Sequence, residues 1–201
     1  MPRASRKPDI LQALARMLEH GQGKKITTAN LAEEVGLSEA ALYRHFPSKA
    51  KMFEALIDFA EESVFSRIKP ISSEAIPAHE KCSRIITLLL VFAERNPGIS
   101  RLLAGDALLG EEPRLLQRIQ QLFSRCETQL KQILREAEYQ NNERTTVSAA
   151  VAANLMVTMV EGKIRQYIRT DFTATPMAQW PEQWPVIQQT LFVDCRDPSI
   201  Q

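Results

Sequence analysis

Three cysteines, three histidines and seven glycines are all that 201 residues supply of the side chains and hinges on which metal sites, nucleophilic centres and phosphate loops usually depend. Cys82, Cys126 and Cys195 stand far apart, and their odd number reads as reduced thiols rather than a disulfide framework. They and His20, His45 and His79 do not supply the two close sequence pairs that a tetrahedral zinc draws on, so no metal is expected. Gly-x-Ser-x-Gly, a Walker loop, His-Glu-x-x-His and Gly-x-Gly-x-x-Gly are all missing, which argues against an enzyme and against a nucleotide cofactor. No apolar run approaches the roughly 18 residues of a membrane span. The longest candidate, Ile85 to Ala93, is bounded by Arg84 and Glu94. The basic start, Met1-Pro-Arg-Ala-Ser-Arg-Lys7, leads into an amphipathic pattern rather than a signal peptide, so a cytosolic protein without a membrane partner is expected.

Present in quantity are hydrophobic side chains at helical spacing, 44% of the chain, enough for a compact body with a small module attached. Apolar positions recur at three and four, β-branched alternation is absent, and an all-α fold follows. The pattern predicts helices over about Asp9–Glu19, ending at His20-Gly21, over Thr27–Val35, over Glu39–His45 and from Ser48 to about Lys69. Pro70 to Ala78, rich in Ser and Pro, reads as a loop. The next helix, Pro77 to Asn96, is apolar almost all round through Ile85, Ile86, Leu88, Leu89, Leu90, Val91 and Phe92, which predicts burial on every side until Pro97 stops it. After a short element, Gly98–Ala104, two long amphipathic helices follow. One carries Leu115, Ile119, Leu122, Phe123, Cys126, Leu130, Ile133 and Leu134 as its stripe. The other, about Thr146 to Arg169, carries Ala152, Leu155, Met156, Met159, Val160, Ile164, Tyr167 and Ile168. Such a pair can pack on its symmetry mate as a four-helix bundle, so a homodimer is expected. A last short helix is read at Trp184–Phe192, and Asp194–Gln201 as frayed. The domain boundary is placed inside the fourth helix, giving residues 1–51 and 52–201.

Net charge is only +1, yet residues 1–51 carry nine Lys/Arg against five Asp/Glu, or +4, leaving sixteen against nineteen, or −3. A basic head on a mildly acidic body fits a nucleic-acid partner without requiring one. Within that head, two short helices crossing steeply need a small residue at the crossing, a turn residue tolerant of positive φ, and apolar grips on both sides. Ala32, Gly36, and Leu31, Val35, Leu37 and Leu42 supply these in order, which is the pattern of a helix-turn-helix. Ser38 is placed to cap the second helix, whose exposed face then offers Ala40, Ala41, Tyr43, Arg44 and His45 to a major groove. The alanines let the backbone approach the bases and can meet a thymine methyl, while Tyr43 and His45 reach phosphate or base edges. Thr27 and Thr28 start the preceding helix, where hydroxyls and unpaired N–H groups suit a phosphate. Lys49 and Lys51 sit in the first turn of the fourth helix, where a cation opposes the dipole by about 0.3–1 kcal/mol. Something negative should lie there, and Lys49 is the expected phosphate clamp.

The run from Ile26 through Leu-Tyr-Arg-His-Phe-Pro-Ser-Lys49 resembles the DNA-binding domain of the TetR family. That resemblance implies a homodimer in which a three-helix head sits on a larger helical body. Residues 38–49, Phe92 to Arg101 (Phe-Ala-Glu-Arg-Asn-Pro-Gly-Ile-Ser-Arg), Gly105 to Leu108 and Gln129 to Glu136 are further similar to a nucleoid occlusion subfamily. Its members bind palindromic duplex DNA on the chromosome and, when bound, antagonise polymers of the tubulin-like division protein FtsZ. The resemblance implies an FtsZ-tail site on the fourth and fifth helices at Phe59, Arg67, Leu88, Arg95 and Asn96. Arg95 and Asn96 end a helix, where the dipole favours a cation able to pair with an acidic peptide. Val91 stands where the subfamily carries glycine, and Tyr139–Val147 and the tail after Phe192 match poorly.

A ligand-responsive repressor of the same family is the alternative. There an enclosed small molecule, lined by Phe92, Phe123, Met156, Met159 and Tyr167, separates two heads so that they no longer match adjacent grooves. Few polar groups are placed to orient such a ligand.

Overall fold

Helical spacing this continuous leaves little chain for anything else, and a computed structural model, which describes residues 6–21, 26–141 and 143–193, is all-α. In order come α1 (Lys7–His20), α2 (Thr28–Glu34), α3 (Glu39–His45), α4 (Lys49–Ser73), α5 (Ala78–Arg95), α6 (Pro97–Leu103), a 3₁₀ turn (Asp106–Leu108), α7 (Pro113–Asn141), α8 (Ala149–Arg169) and α9 (Trp180–Leu191). Among the described residues, extended pairing is confined to one bridge, Thr145 with Phe192. No helix there is long and apolar enough to cross a membrane. Cys195 and the tail expected to fray, Asp194–Gln201, lie outside the described residues.

Several boundaries differ from the pattern's forecast. Helix α4 runs through Pro70 to Ser73 instead of ending at Lys69. Proline removes a single ladder bond so near the end, while Ser72 Oγ donates to the Ile68 carbonyl at 3.0 Å, Ser73 Oγ to that of Lys69 at 3.2 Å, and Ile68 is buried. Pro97 starts α6 as well as closing α5, because its fixed φ and missing N–H suit a first helical position. Helix α8 begins at Ala149, capped by Ser148 Oγ on Val151 N–H, because Thr145 pairs with Phe192 and Thr146 with the last residues of α9. Helix α9 starts at Trp180, four residues early, with Pro181 in its first turn. Nor is α5 enclosed all round. Cys82, Ile85, Ile86, Leu89, Leu90 and Ala93 are buried, but Leu88, Val91 and Phe92 are half-buried on the stripe that also carries exposed Arg84 and Arg95.

The chain divides into two compact units, Met1–Glu62 with Arg95–Gln120, and Ser63–Glu94 with Gln121–Gln201. The first takes in the whole expected head and adds α6 and the start of α7. In it, α1 and α6 lie close enough that a Cβ at Gly98 would collide with the Ala15 carbonyl oxygen. Buried Arg101 donates to the Leu18 carbonyl at 3.0 Å, which satisfies a C-terminal group of α1. Arg118 on α7 pairs with Asp58 at 2.7 Å and Glu61 at 3.1 Å on α4.

The second unit is stitched by a few polar bonds across an apolar interior. Trp180 Nε1 donates to Thr87 Oγ1 at 2.8 Å, Tyr167 Oη to the Glu94 carbonyl at 3.1 Å, and the Ala78 N–H to Glu143 at 2.8 Å. Arg125 stacks over Phe65 with 3.9 Å to the ring centroid. Burial pushes the Cys82 thiol up to about 12, so it behaves as a core side chain. The α7 stripe is buried, Leu115 and Ile119 in the first unit and the rest in the second, apart from half-buried Phe123. Large apolar side chains are exposed on α7 at Tyr139, on α8 at Val151 and at Leu155, a member of its stripe, and on α9 at Val186. An open groove of about 660 Å³ runs along α8 and α9 past Met159, Gly162, Lys163, Gln183 and Ile187. Of the five residues assigned to a small-molecule pocket, only Met159 lines it.

Candidate nucleic-acid interface

The turn between α2 and α3 is made as the residue types require. Gly36 adopts φ +64°, Leu37 N–H returns to the Ala32 carbonyl at 2.8 Å and Gly36 N–H to that of Glu33 at 3.0 Å. Arg6 closes the same helix end by donating to the Val35 carbonyl at 3.1 Å. Leu31, Ala32 and Leu42 are buried at the crossing, while Val35 and Leu37 are half-buried.

Both helix starts are capped by their own side chains. Thr27 Oγ1 accepts from Asn30 N–H and Ser38 Oγ from Ala41 N–H, each at 3.2 Å. A hydroxyl that accepts there keeps its own proton to give to a phosphate. With Leu42 as the buried anchor, α3 leaves Ala40, Tyr43 and Arg44 exposed and Ala41 and His45 half-buried. The Arg44 guanidinium makes no hydrogen bond or ion pair among the described residues. Tyr43 is not a packing residue, being 44% exposed. Its hydroxyl lies 3.4 Å from Thr28 Oγ1, which in turn donates to Glu39 Oε2 at 2.8 Å. Thr28, Glu39 and Tyr43 therefore form one polar cluster joining the start of α2 to the face of α3.

The anion expected beside Lys49 is present within the protein. Lys49 Nζ forms an ion pair with Glu111, donates to the Ile26 carbonyl at 3.0 Å and lies 5.8 Å from the Phe53 ring centroid. Lys51 is matched by Glu54 at 2.6 Å. Glu54 follows Lys51 by one helical turn, but Glu39 and Glu111 are not legible as partners from spacing. Glu39 reads as an ordinary first-turn acid, and Glu111 lies far along the chain in the turn before α7.

The residues of the implied partner site divide between the units. In the first, Phe59 is 48% exposed on α4, Arg95 is exposed at the end of α5, and Asn96 stands in the capping position of α6 without capping it. In the second, Arg67 donates to its own helix at the Ser63 carbonyl at 2.9 Å, and Leu88 is half-buried. Leu88 and Arg95, seven residues apart on α5, share one stripe. Among the described residues no cluster of His, Cys, Asp and Glu is suited to a metal ion.

Residues 10–56 match the model of bacterial regulatory proteins of the tetR family, and residues 78–192 that of a tetracyclin repressor-like C-terminal domain. The chain is similar to the nucleoid occlusion factor SlmA of Marinomonas sp. (strain MWYL1), 54% identical over 94% of this chain and 96% of that protein. It is 56% identical, over the same shares, to the nucleoid occlusion factor SlmA of Shewanella pealeana (strain ATCC 700345 / ANG-SQ1). Among solved structures it shares its fold with the MbdR regulator of Azoarcus sp. CIB, with a TM-score of 0.78 at 17% identity over 92% of this chain and 98% of that one. The transcriptional regulator FadR of Bacillus subtilis, solved in complex with stearoyl-CoA, aligns with a TM-score of 0.71 at 15% identity, covering 90% and 96%.

Proposed function

We propose that this chain, which belongs to the TetR family and within it to the nucleoid occlusion factor SlmA family, antagonises FtsZ polymers while bound to palindromic sites on the chromosome. It is a DNA-binding protein, a homodimer and not an enzyme. The observation that carries the reading is the exposed face of α3: Ala40, Tyr43 and Arg44, on a helix fixed by the Ser38 cap and buried Leu42, with the basic head behind it.

Residues 1–51 act as the reading head and 52–201 as the body. The dimer brings two α3 helices to successive major grooves roughly 34–36 Å apart, one turn of the duplex. Ser38, Ala40, Ala41, Tyr43, Arg44 and His45 face the groove. Thr27, Thr28 and Lys49 meet phosphates, Lys49 by exchanging Glu111 for a phosphate oxygen. Bound this way, the protein resides on the nucleoid, and the acidic C-terminal tail of FtsZ contacts Phe59, Arg67, Leu88, Arg95 and Asn96. The charge of Arg95 and the exposed Phe59 ring support that assignment, since an acidic peptide with apolar side chains needs both.

The test is fluorescence anisotropy of a labelled FtsZ tail peptide titrated with the wild-type chain and with Arg95→Asp, each with and without a duplex that the protein retains. Saturable binding that Arg95→Asp abolishes is expected. Absence of binding under both DNA conditions would leave a ligand-gated repressor as the better reading.

A further inference from the structure

We infer that Glu39 is a specificity-determining residue of the DNA surface and selects cytosine in each half-site. This rests on the DNA-binding reading and deepens it.

Glu39 is the first residue of α3, at the end of a recognition helix that meets base edges, and its carboxylate is exposed. It lies one turn from Tyr43, so both stand on one stripe, beside the stripe of Ala40 and Arg44. The carboxylate is aimed rather than loose. Thr28 Oγ1 donates to Oε2 at 2.8 Å and stands 3.4 Å from the Tyr43 hydroxyl, so the α2 start and the α3 face hold it together. Oε1 makes no hydrogen bond among the described residues.

An acidic group in this position works against phosphate binding, because it repels the polyanion that the +4 head attracts. Accepting a hydrogen bond from the duplex offsets that repulsion. In the major groove the base donors are cytosine N4 and adenine N6. Beside the N6 donor, adenine presents the acceptor N7, which repels a carboxylate, whereas cytosine offers N4 alone. A carboxylate held at one oxygen and open at the other therefore favours cytosine. Glutamine, which both donates and accepts, favours adenine at N6 and N7.

The experiment selects binders from a duplex pool randomised over the site, using the full chain as wild type, Glu39→Ala, Glu39→Gln and Thr28→Val. Each variant's thermal unfolding is followed by circular dichroism. The wild type is expected to prefer cytosine roughly tenfold at one position per half-site. Glu39→Ala should erase that preference and leave the other positions unchanged, and Glu39→Gln should move it toward adenine. Thr28→Val, which keeps the carboxylate but frees it, should blunt the preference without moving it. An unchanged profile in Glu39→Ala, or an equal loss at every position, overturns the inference while leaving DNA binding intact. A wild type that retains no duplex at all sinks the DNA-binding reading itself.

Discussion

In the head of the first unit several polar side chains are tied in place: Thr27 and Ser38 to their own helix starts, Thr28 to Glu39, Lys49 to Glu111 and Ile26. In the second, α8 and α9 leave the large apolar side chains of Val151, Leu155 and Val186 exposed, over an interior in which Tyr167 and Trp180 hold polar bonds. The difference follows from the partner each surface suits. A groove of DNA is recognised by donors and acceptors at defined positions, so the head fixes polar groups in advance of contact. Association with a second copy draws on apolar area, so the body can leave such residues uncovered until it pairs.

The largest effect that tests this contrast comes from the apolar face. Leu155→Glu should convert the dimer to a monomer in sedimentation equilibrium and, by removing the second head, weaken binding to a two-half-site duplex at least about 100-fold. A dimer of unchanged stability would move the association surface off α8.

Inside the first unit, Gly98→Ala forces α6 away from the Ala15 carbonyl and should cost about 2 kcal/mol in urea denaturation. No loss would mean that α1 and α6 part easily, and that the head is less rigidly seated than its contacts imply. Lys49→Ala should weaken all DNA binding about tenfold and flatten its dependence on salt, because one released counterion is lost. Glu111→Gln sharpens the reading. It frees the ammonium and should strengthen non-specific binding, whereas a loss matching that of Lys49→Ala would make the ion pair a brace. The smallest effect is expected from Thr27→Ala, about 1 kcal/mol of stability for the lost cap, read from the thermal midpoint.

How much was legible varied with the distance over which an effect acts. The helix-turn-helix was read almost to the residue, since Gly36, Ala32, Ser38 and Leu42 act within a few positions of one another. Element ends governed by remote groups were missed. Helix α8 starts late because Thr145 pairs with Phe192, and α4 outlasts Pro70 because buried Ile68 and two serine hydroxyls hold its last turn. That Leu155 is exposed while Met156 and Val160 of the same stripe are buried was not legible, because a stripe of apolar residues carries no mark of which member the chain's own core leaves over.

By itself the sequence determined the helices, the turn that sets α3 against α2, the basic head and the family, all of which rest on local spacing and residue type. Only the tertiary structure decided which groups stand opposite one another: Glu111 against Lys49, Thr28 and Tyr43 around Glu39, Gly98 against Ala15, and the apolar remainder on α8 and α9. The reason is physical. Periodicity records which face of a helix is apolar, but a charge or a collision is defined by a partner whose position along the chain leaves no trace in the spacing.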